Sequence, residues 1–246
     1  MSNSDFLKRR AENREKLLAK IVKEFQTLDP AAIHLFGSGV NGFKDEFSDI
    51  DIWITIDDGK LKNTLNHLTS IYKSIAPILL KHNSKTWSPV GGRASSIIHE
   101  FNGDLFVVDY YISKLSETIL PYNAKRLFGV DSITKGEWRL NQHVYPKMKD
   151  THTLRKDVDL LLDLIFISYK GIIRQWQNDE FINTIKKVHQ NIRQKYKVEL
   201  PARRISLTNE SNDRLLDDLY QIVNQRQKKV VNKIREFGRL VEQNYL

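Results

Sequence analysis

The stretch Asp49-Ile-Asp-Ile-Trp-Ile-Thr-Ile56 constrains this chain more than any other. It alternates with period two. Ile50, Ile52, Ile54 and Ile56 share one face of a strand, and Asp49, Asp51, Trp53 and Thr55 share the other. An all-isoleucine face commits the strand to a core. The opposite face then carries two carboxylates, about 7 Å apart along the backbone. Two bare acids against a core are costly, and a divalent cation relieves their repulsion. Hard oxygen donors of this kind suit Mg²⁺ held together with substrate phosphates.

Upstream, Ile33 to Phe36 is a short apolar strand that breaks at Gly37-Ser38-Gly39. Glycine lets backbone N–H groups approach a phosphate closely. A helix beginning there aims its donors and positive dipole end at the anion. Ser38 adds a hydroxyl donor. A third carboxylate is expected, because two metals on one phosphoryl group need more ligands than one pair supplies. Asp109, inside the apolar run Leu105 to Ile112, is the candidate. Lys44 and Arg93 are candidates to meet phosphate charge, and Glu100 or Glu137 to act as general base. With a two-residue turn at Asn102-Gly103, Glu100 faces the side of Asp109, about four residues further along the sheet. Trp53, Trp87, Trp138 and Trp176 could each stack a base or acceptor ring, although packing is the commoner role. Trp53 shares the face of the acids.

Around these motifs the pattern predicts a helix from Ser4, as its cap, to about Gln26, halted by Asp29-Pro30. A second helix is expected over Lys60 to Leu80, and a hairpin of Ser96 to Phe101 with Leu105 to Ile112. Ser113 to Lys149 reads as irregular or mixed. Helices are expected at Leu154 to Trp176, at Phe181 to Tyr196, and at Asp213 to Gln243, the last with a break. The fold class is therefore α+β, a small mixed β-sheet with flanking helices followed by a C-terminal helical bundle. The expected domains are 1–149 and 150–246.

The chain has no cysteine, which excludes disulfides and thiolate metal sites. Its formal net charge is +9, and from Lys147 onward 20 Lys and Arg face 13 Asp and Glu. That balance favours anionic partners or a solvated basic helical face. Met1 to Lys20 is charged throughout, without the apolar region of a signal peptide. No apolar run is long enough to span a bilayer. A cytoplasmic protein without membrane association is the expectation, and homodimerisation is left open.

Gly37-Ser38, a ten-residue gap, then Asp49-Ile-Asp51-Ile resembles the signature of the DNA polymerase beta-like nucleotidyltransferase superfamily. Asp109 resembles that family's third metal-binding aspartate. The resemblance covers roughly residues 30 to 112. It implies two Mg²⁺ ions held by Asp49, Asp51 and Asp109, with Gly37 and Ser38 on the phosphates of an NTP, ATP being the expected one. Many members place a basic residue just after the Gly-Ser pair, where this chain has Gly39. A transferase domain followed by helices is similar in layout to bacterial nucleotidyltransferases that modify aminoglycoside or lincosamide antibiotics. The expected acceptor is thus a small-molecule hydroxyl, an antibiotic among the candidates, although a basic C-terminal half would not attract a cationic aminoglycoside. AMP transfer to a partner protein, as in antitoxin-like relatives, and nucleotide transfer to RNA stay open as alternatives.

Overall fold

A computed structural model describes residues 3–245, with side chains from Asp5 to Asn244. The chain divides into two compact units, Met1–Asp150 and Thr151–Leu246.

In the first unit, helix α1 (Asn3–Gln26) leads into a six-stranded sheet. Its expected Ser4 cap falls on a side chain outside those described. The strands are β1 (Ala32–Phe36), β2 (Ile50–Ile56), β3 (Ile78–Ser84), β4 (Arg93–Phe101), β5 (Asp104–Lys114) and β6 (Lys125–Gly129). They lie in the order β3-β4-β5-β2-β1-β6. β2 and β5 run parallel, and every other neighbouring pair is antiparallel. The class is α+β with a mixed sheet.

The sheet separates two cores. Ile50, Ile52, Ile54 and Ile56 pack with Leu17, Ile21 and Phe25 of α1 and with Leu68, Tyr72 and Ile75 of α2 (Leu61–Ile75). Phe25, Tyr72 and Tyr110 form an aromatic cluster there, with Tyr72 and Tyr110 centroids 4.6 Å apart. On the other face Ala32, Phe36, Trp53, Leu120, Ala124, Ile133 and Leu140 build a smaller core. The β4–β5 hairpin turns at Asn102 and Gly103, with φ of 51° and 80°. Two left-handed residues in a two-residue loop make the turn whose twist suits a hairpin.

Two expectations needed correction. The second helix ends at Ile75 rather than Leu80, and β3 follows. Pro77 is the cause. It drives Ala76 into extended backbone (φ −164°, ψ 162°) and supplies no N–H to continue a helix. The hairpin strands are longer than expected, and β4 begins at Arg93 rather than near Ser96. The stretch 113–149 contains β6, which pairs with β1 at the sheet edge, and a short helix α3 (Asn141–Val144).

The second unit is helical: α4 (Leu154–Ile173), α5 (Asp179–Lys195), α6 (Asn209–Ile222) and α7 (Gln225–Tyr245). The hydroxyl of Thr153 caps α4, the side chain of Asn178 caps α5 and the hydroxyl of Thr208 caps α6. The expected last helix splits because Val223 is extended and Asn224 Oδ1 accepts from Gln227 N at 3.0 Å, which starts a new helix. Phe166 and Tyr169 of α4 meet Phe237 of α7, at centroid distances of 4.6 and 6.0 Å. A Cβ at Gly238 would collide with the Tyr169 ring, so glycine lets the two helices approach. Among the described residues no helix is long and apolar enough to cross a membrane.

Ile52 is fully buried. Ile52→Ala should lower the unfolding free energy by about 2–5 kcal/mol, measured by urea denaturation. A loss well under 1 kcal/mol would mean that this strand face does not anchor the sheet.

Candidate active site

The two acids that matter most come together through strand register. In the parallel β2–β5 pair, Asp51 stands opposite Asp109. Adjacent strands lie about 4.8 Å apart, and opposed residues present their side chains to the same face. Asp49 precedes the first residue of β2 and is half-buried. β1 runs antiparallel to β2 and sets Phe36 opposite Asp51, so the chain leaves the sheet at Gly37 beside that acid. Gly37 has φ +66°, and a Cβ there would collide with Asp51 Oδ2. Glycine is required twice at this position, for the left-handed backbone and for the carboxylate packed against it. The chain continues as a 3₁₀ turn over Gly37–Asn41, closed by Gly42 at φ 95°, rather than as an α-helix. Ser38 is exposed on this turn.

Beneath the acids lies an aromatic floor. Trp53 stacks on its register partner Tyr111, with centroids 5.4 Å apart and planes 12° from parallel. Its Nε1 donates to Ser113 Oγ at 2.7 Å. Trp53 is 1% exposed and so is closed to a ligand. Phe36 and Trp138 pack edge-on and tilted against this pair. Burial, and then the charges of Asp109 and Asp51, push the Tyr111 phenol up, so both carboxylates act on one hydroxyl. His34, buried next to Trp53 in the β1–β2 pairing, is held neutral. Burial first, then Lys135 and Arg126, lower it to about 4. His99, on the opposite face, is also lowered to about 4, again by burial.

Several residues near the site escaped the sequence reading. The loop between Gly42 and Asp49 is tied to α1. Arg10 Nε donates to Glu46 O at 2.9 Å, and Arg14 Nη1 donates to Asp45 O. The Arg10 guanidinium lies over both Phe47 and Phe106, and that of Arg14 over Phe43. The available signal was spacing. Positions 10, 14, 17, 21 and 25 form one helical stripe, and basic residues on a buried stripe signal a specific partner. Asn123 Nδ2 reaches Gly37 O at 3.4 Å and had no sequence signal.

Two other candidates, Glu100 and Arg93, are not brought to the acids. Glu100 shares their face but pairs with Leu105, about 13 Å along β5 from Asp109. Arg93 lies on the opposite face, where its Nη1 donates to Leu65 O of α2 at 3.2 Å. Strand parity is the reason, since Ser96 and not its odd-numbered neighbours stands opposite Asp109. Lys44 is exposed on the loop before Asp49. Glu137 is exposed beside Trp138, and Trp176 packs on Phe181 in the second unit. Among the described residues, no group of three or more His, Cys, Asp or Glu side chains forms a ready metal cage.

Residues 16–89 match the family described as the nucleotidyltransferase domain. Over this stretch the chain is similar to nucleotidyltransferase domains. The match places it among enzymes that transfer nucleotidyl groups. It takes in Gly37, Ser38, Asp49 and Asp51 but stops short of Asp109, which meets Asp51 only through the β2–β5 register. Two solved structures resemble the chain weakly. One is a Helicobacter pylori protein described provisionally as a nucleotidyltransferase, 14% identical over 96% of each chain, with a TM-score of 0.30. The other is JHP933 from Helicobacter pylori, 16% identical over 96% of this chain and 93% of that one, with a TM-score of 0.29. Likenesses of this strength leave the assignment resting on the family match. No curated protein matches the chain.

Gly37→Ala should cost at least about 1–2 kcal/mol of stability from the left-handed backbone alone, with further loss from displacement of Asp51. Wild-type stability in a thermal melt would contradict the tight turn. The pH dependence has a definite sign. His34 and His99 stay neutral in the fold to about pH 4, whereas the unfolded chain binds protons below about 6.5. Stability is therefore complete above that value and is lost as the pH falls from about 6.5 towards 4. Urea midpoints should drop across this window, and His34→Gln should flatten the drop. A midpoint that stays level would show that the histidines are not held neutral.

Proposed function

We propose that the chain transfers a nucleoside monophosphate from an NTP, with ATP as the expected donor, to a hydroxyl of a small-molecule acceptor in a Mg²⁺-dependent reaction. The observation that carries this reading is the pairing of Asp51 with Asp109 directly beside Gly37.

The donor set fits the cation. Like charges one strand spacing apart repel, and Mg²⁺ is commonly held by one or two carboxylates together with substrate phosphates. Such a site needs no closed protein cage, which suits a half-buried pair of acids. Asp51 and Asp109 would hold the ion, with Asp49 as the further ligand. When bound, Mg²⁺ polarises phosphoryl oxygens and lowers the pKa of an attacking hydroxyl.

The protein's own groups do the rest by position. The turn at Gly37 brings backbone N–H groups to the triphosphate, and the exposed Ser38 hydroxyl donates to it. Lys44 is the cation for phosphate charge in place of the missing basic residue after Ser38. Buried Trp53, stacked on half-buried Tyr111, keeps water from behind the acids and fixes the two strands on which they stand. The acceptor oxygen attacks the α-phosphorus as pyrophosphate departs from the opposite side. Orientation and preorganised charge carry most of the acceleration. Glu100 has no part in this reading, because it lies too far along the sheet. The small-molecule acceptor rests on the similarity of layout to antibiotic-modifying enzymes.

The test incubates the protein with Mg²⁺ and each NTP labelled at the α-phosphate, across a panel of lincosamides, aminoglycosides, tRNA and total protein. Label should move to a small molecule, and EDTA should stop it. Asp51→Asn and Asp109→Asn should each lower the rate by about 10²–10³-fold, the scale set by single preorganised electrostatic groups, with an unchanged thermal melt. Full activity in either folded variant would remove the proposed site. Label on tRNA or protein would move the acceptor to one of those classes.

A further inference from the structure

A cavity of about 520 Å³ opens in the first unit, lined among others by Pro121, Tyr122, Glu137, Trp138, Arg139 and His143. Its size falls within the ~300–1,000 Å³ of small-molecule sites. Two contacts join it to the proposed active site. Trp138 packs on Tyr111 at 5.6 Å and on Phe36 at 5.6 Å. Tyr111 lies two residues along β5 from Asp109, or about 7 Å. On the other side, Tyr122 is chain-adjacent to Asn123, whose amide reaches the carbonyl of Gly37 in the phosphate turn. The cavity thus lies on the same face of the sheet as the acid pair and is joined to it through Trp138 and Tyr111.

Its walls suit a flat ring. Trp138 is half-buried, held by the aromatic floor, and contributes to the cavity wall. Tyr122 is 73% exposed, an unusual state for so large a ring, and nothing in the sheet core requires it there. Aromatic side chains stack nucleobases through their π faces. Glu137, Arg139 and His143 supply donors and acceptors at the rim for the polar edge of a base. Trp53, by contrast, is sealed in the core.

We propose that this cavity receives the base of the NTP, with Tyr122 and Trp138 as its stacking surfaces. The inference rests on the proposed nucleotidyl transfer, because it needs a triphosphate at Gly37 and the acid pair.

Binding separates the two. Calorimetry with Mg²⁺ compares a non-hydrolysable ATP analogue with inorganic tripolyphosphate, which carries the phosphates without a base. Tyr122→Ala should weaken the ATP analogue about tenfold, the scale of one lost base stack, and leave tripolyphosphate unchanged. Tyr122→Phe should restore ATP binding. Tyr122 is exposed, so the alanine variant should keep its melting temperature. Trp138→Leu offers a second reading of the same ratio. Unchanged ATP affinity in Tyr122→Ala and Trp138→Leu overturns the base pocket alone, as does equal weakening of both ligands. A wild-type protein that binds neither ligand overturns this inference and the proposed function together.

Discussion

Parallel pairing between β2 and β5 is the constraint on which the rest depends. It is the one parallel pair in the described sheet, and it sets Asp51 opposite Asp109. A slip of one residue would turn every side chain of the moving strand to the other face and bury a carboxylate among isoleucines. The isoleucine face prevents that. Ile50, Ile52, Ile54 and Ile56 fill the core against α1 and α2, while Trp53 stacks on Tyr111 on the opposite side. Hydrophobic burial on one face thus holds two like charges together on the other. That is an unfavourable arrangement in isolation and a useful one beside a divalent cation.

Glycine links the acid pair to the turn that follows β1. At Gly37 the backbone is left-handed and the Asp51 carboxylate occupies the space a side chain would take. The turn and the acid therefore cannot shift independently. From the other side, Arg10 and Arg14 on α1 fasten the carbonyls of the loop that leads to Asp49. The helix that covers the core thereby also sets the approach of the chain to the proposed metal face.

What was legible in the sequence was local. Period-two alternation marked β2, two left-handed residues at Asn102-Gly103 marked the hairpin, and the Gly-Ser bend marked the turn. What was not legible depended on contacts distant in sequence or on the exact start of a strand. β6 carries little apolar signal, because it is an edge strand with exposed residues, and only its pairing with β1 defines it. The run Ile78-Leu79-Leu80 continues the apolar spacing of α2, but Pro77 ends the helix before it. Arg93 lies outside the expected strand Ser96 to Phe101. Once β4 reaches it, strand parity turns it towards α2. Asp109 could be identified as an acid out of place among Val and Tyr, but its partner across the sheet could not be read without the register. Tyr122, Asn123 and Trp138 come together through the folding of a stretch with almost no periodic pattern.

The central claim is that Asp51 and Asp109 hold a divalent cation beside the turn at Gly37. Its most direct test is a crystal grown with Mn²⁺ and a non-hydrolysable NTP, with anomalous scattering collected at the manganese edge. The account predicts an anomalous peak within coordinating distance of both carboxylates, with the triphosphate running to the Gly37-Ser38 turn. A peak elsewhere, or a triphosphate bound away from that turn, would contradict it.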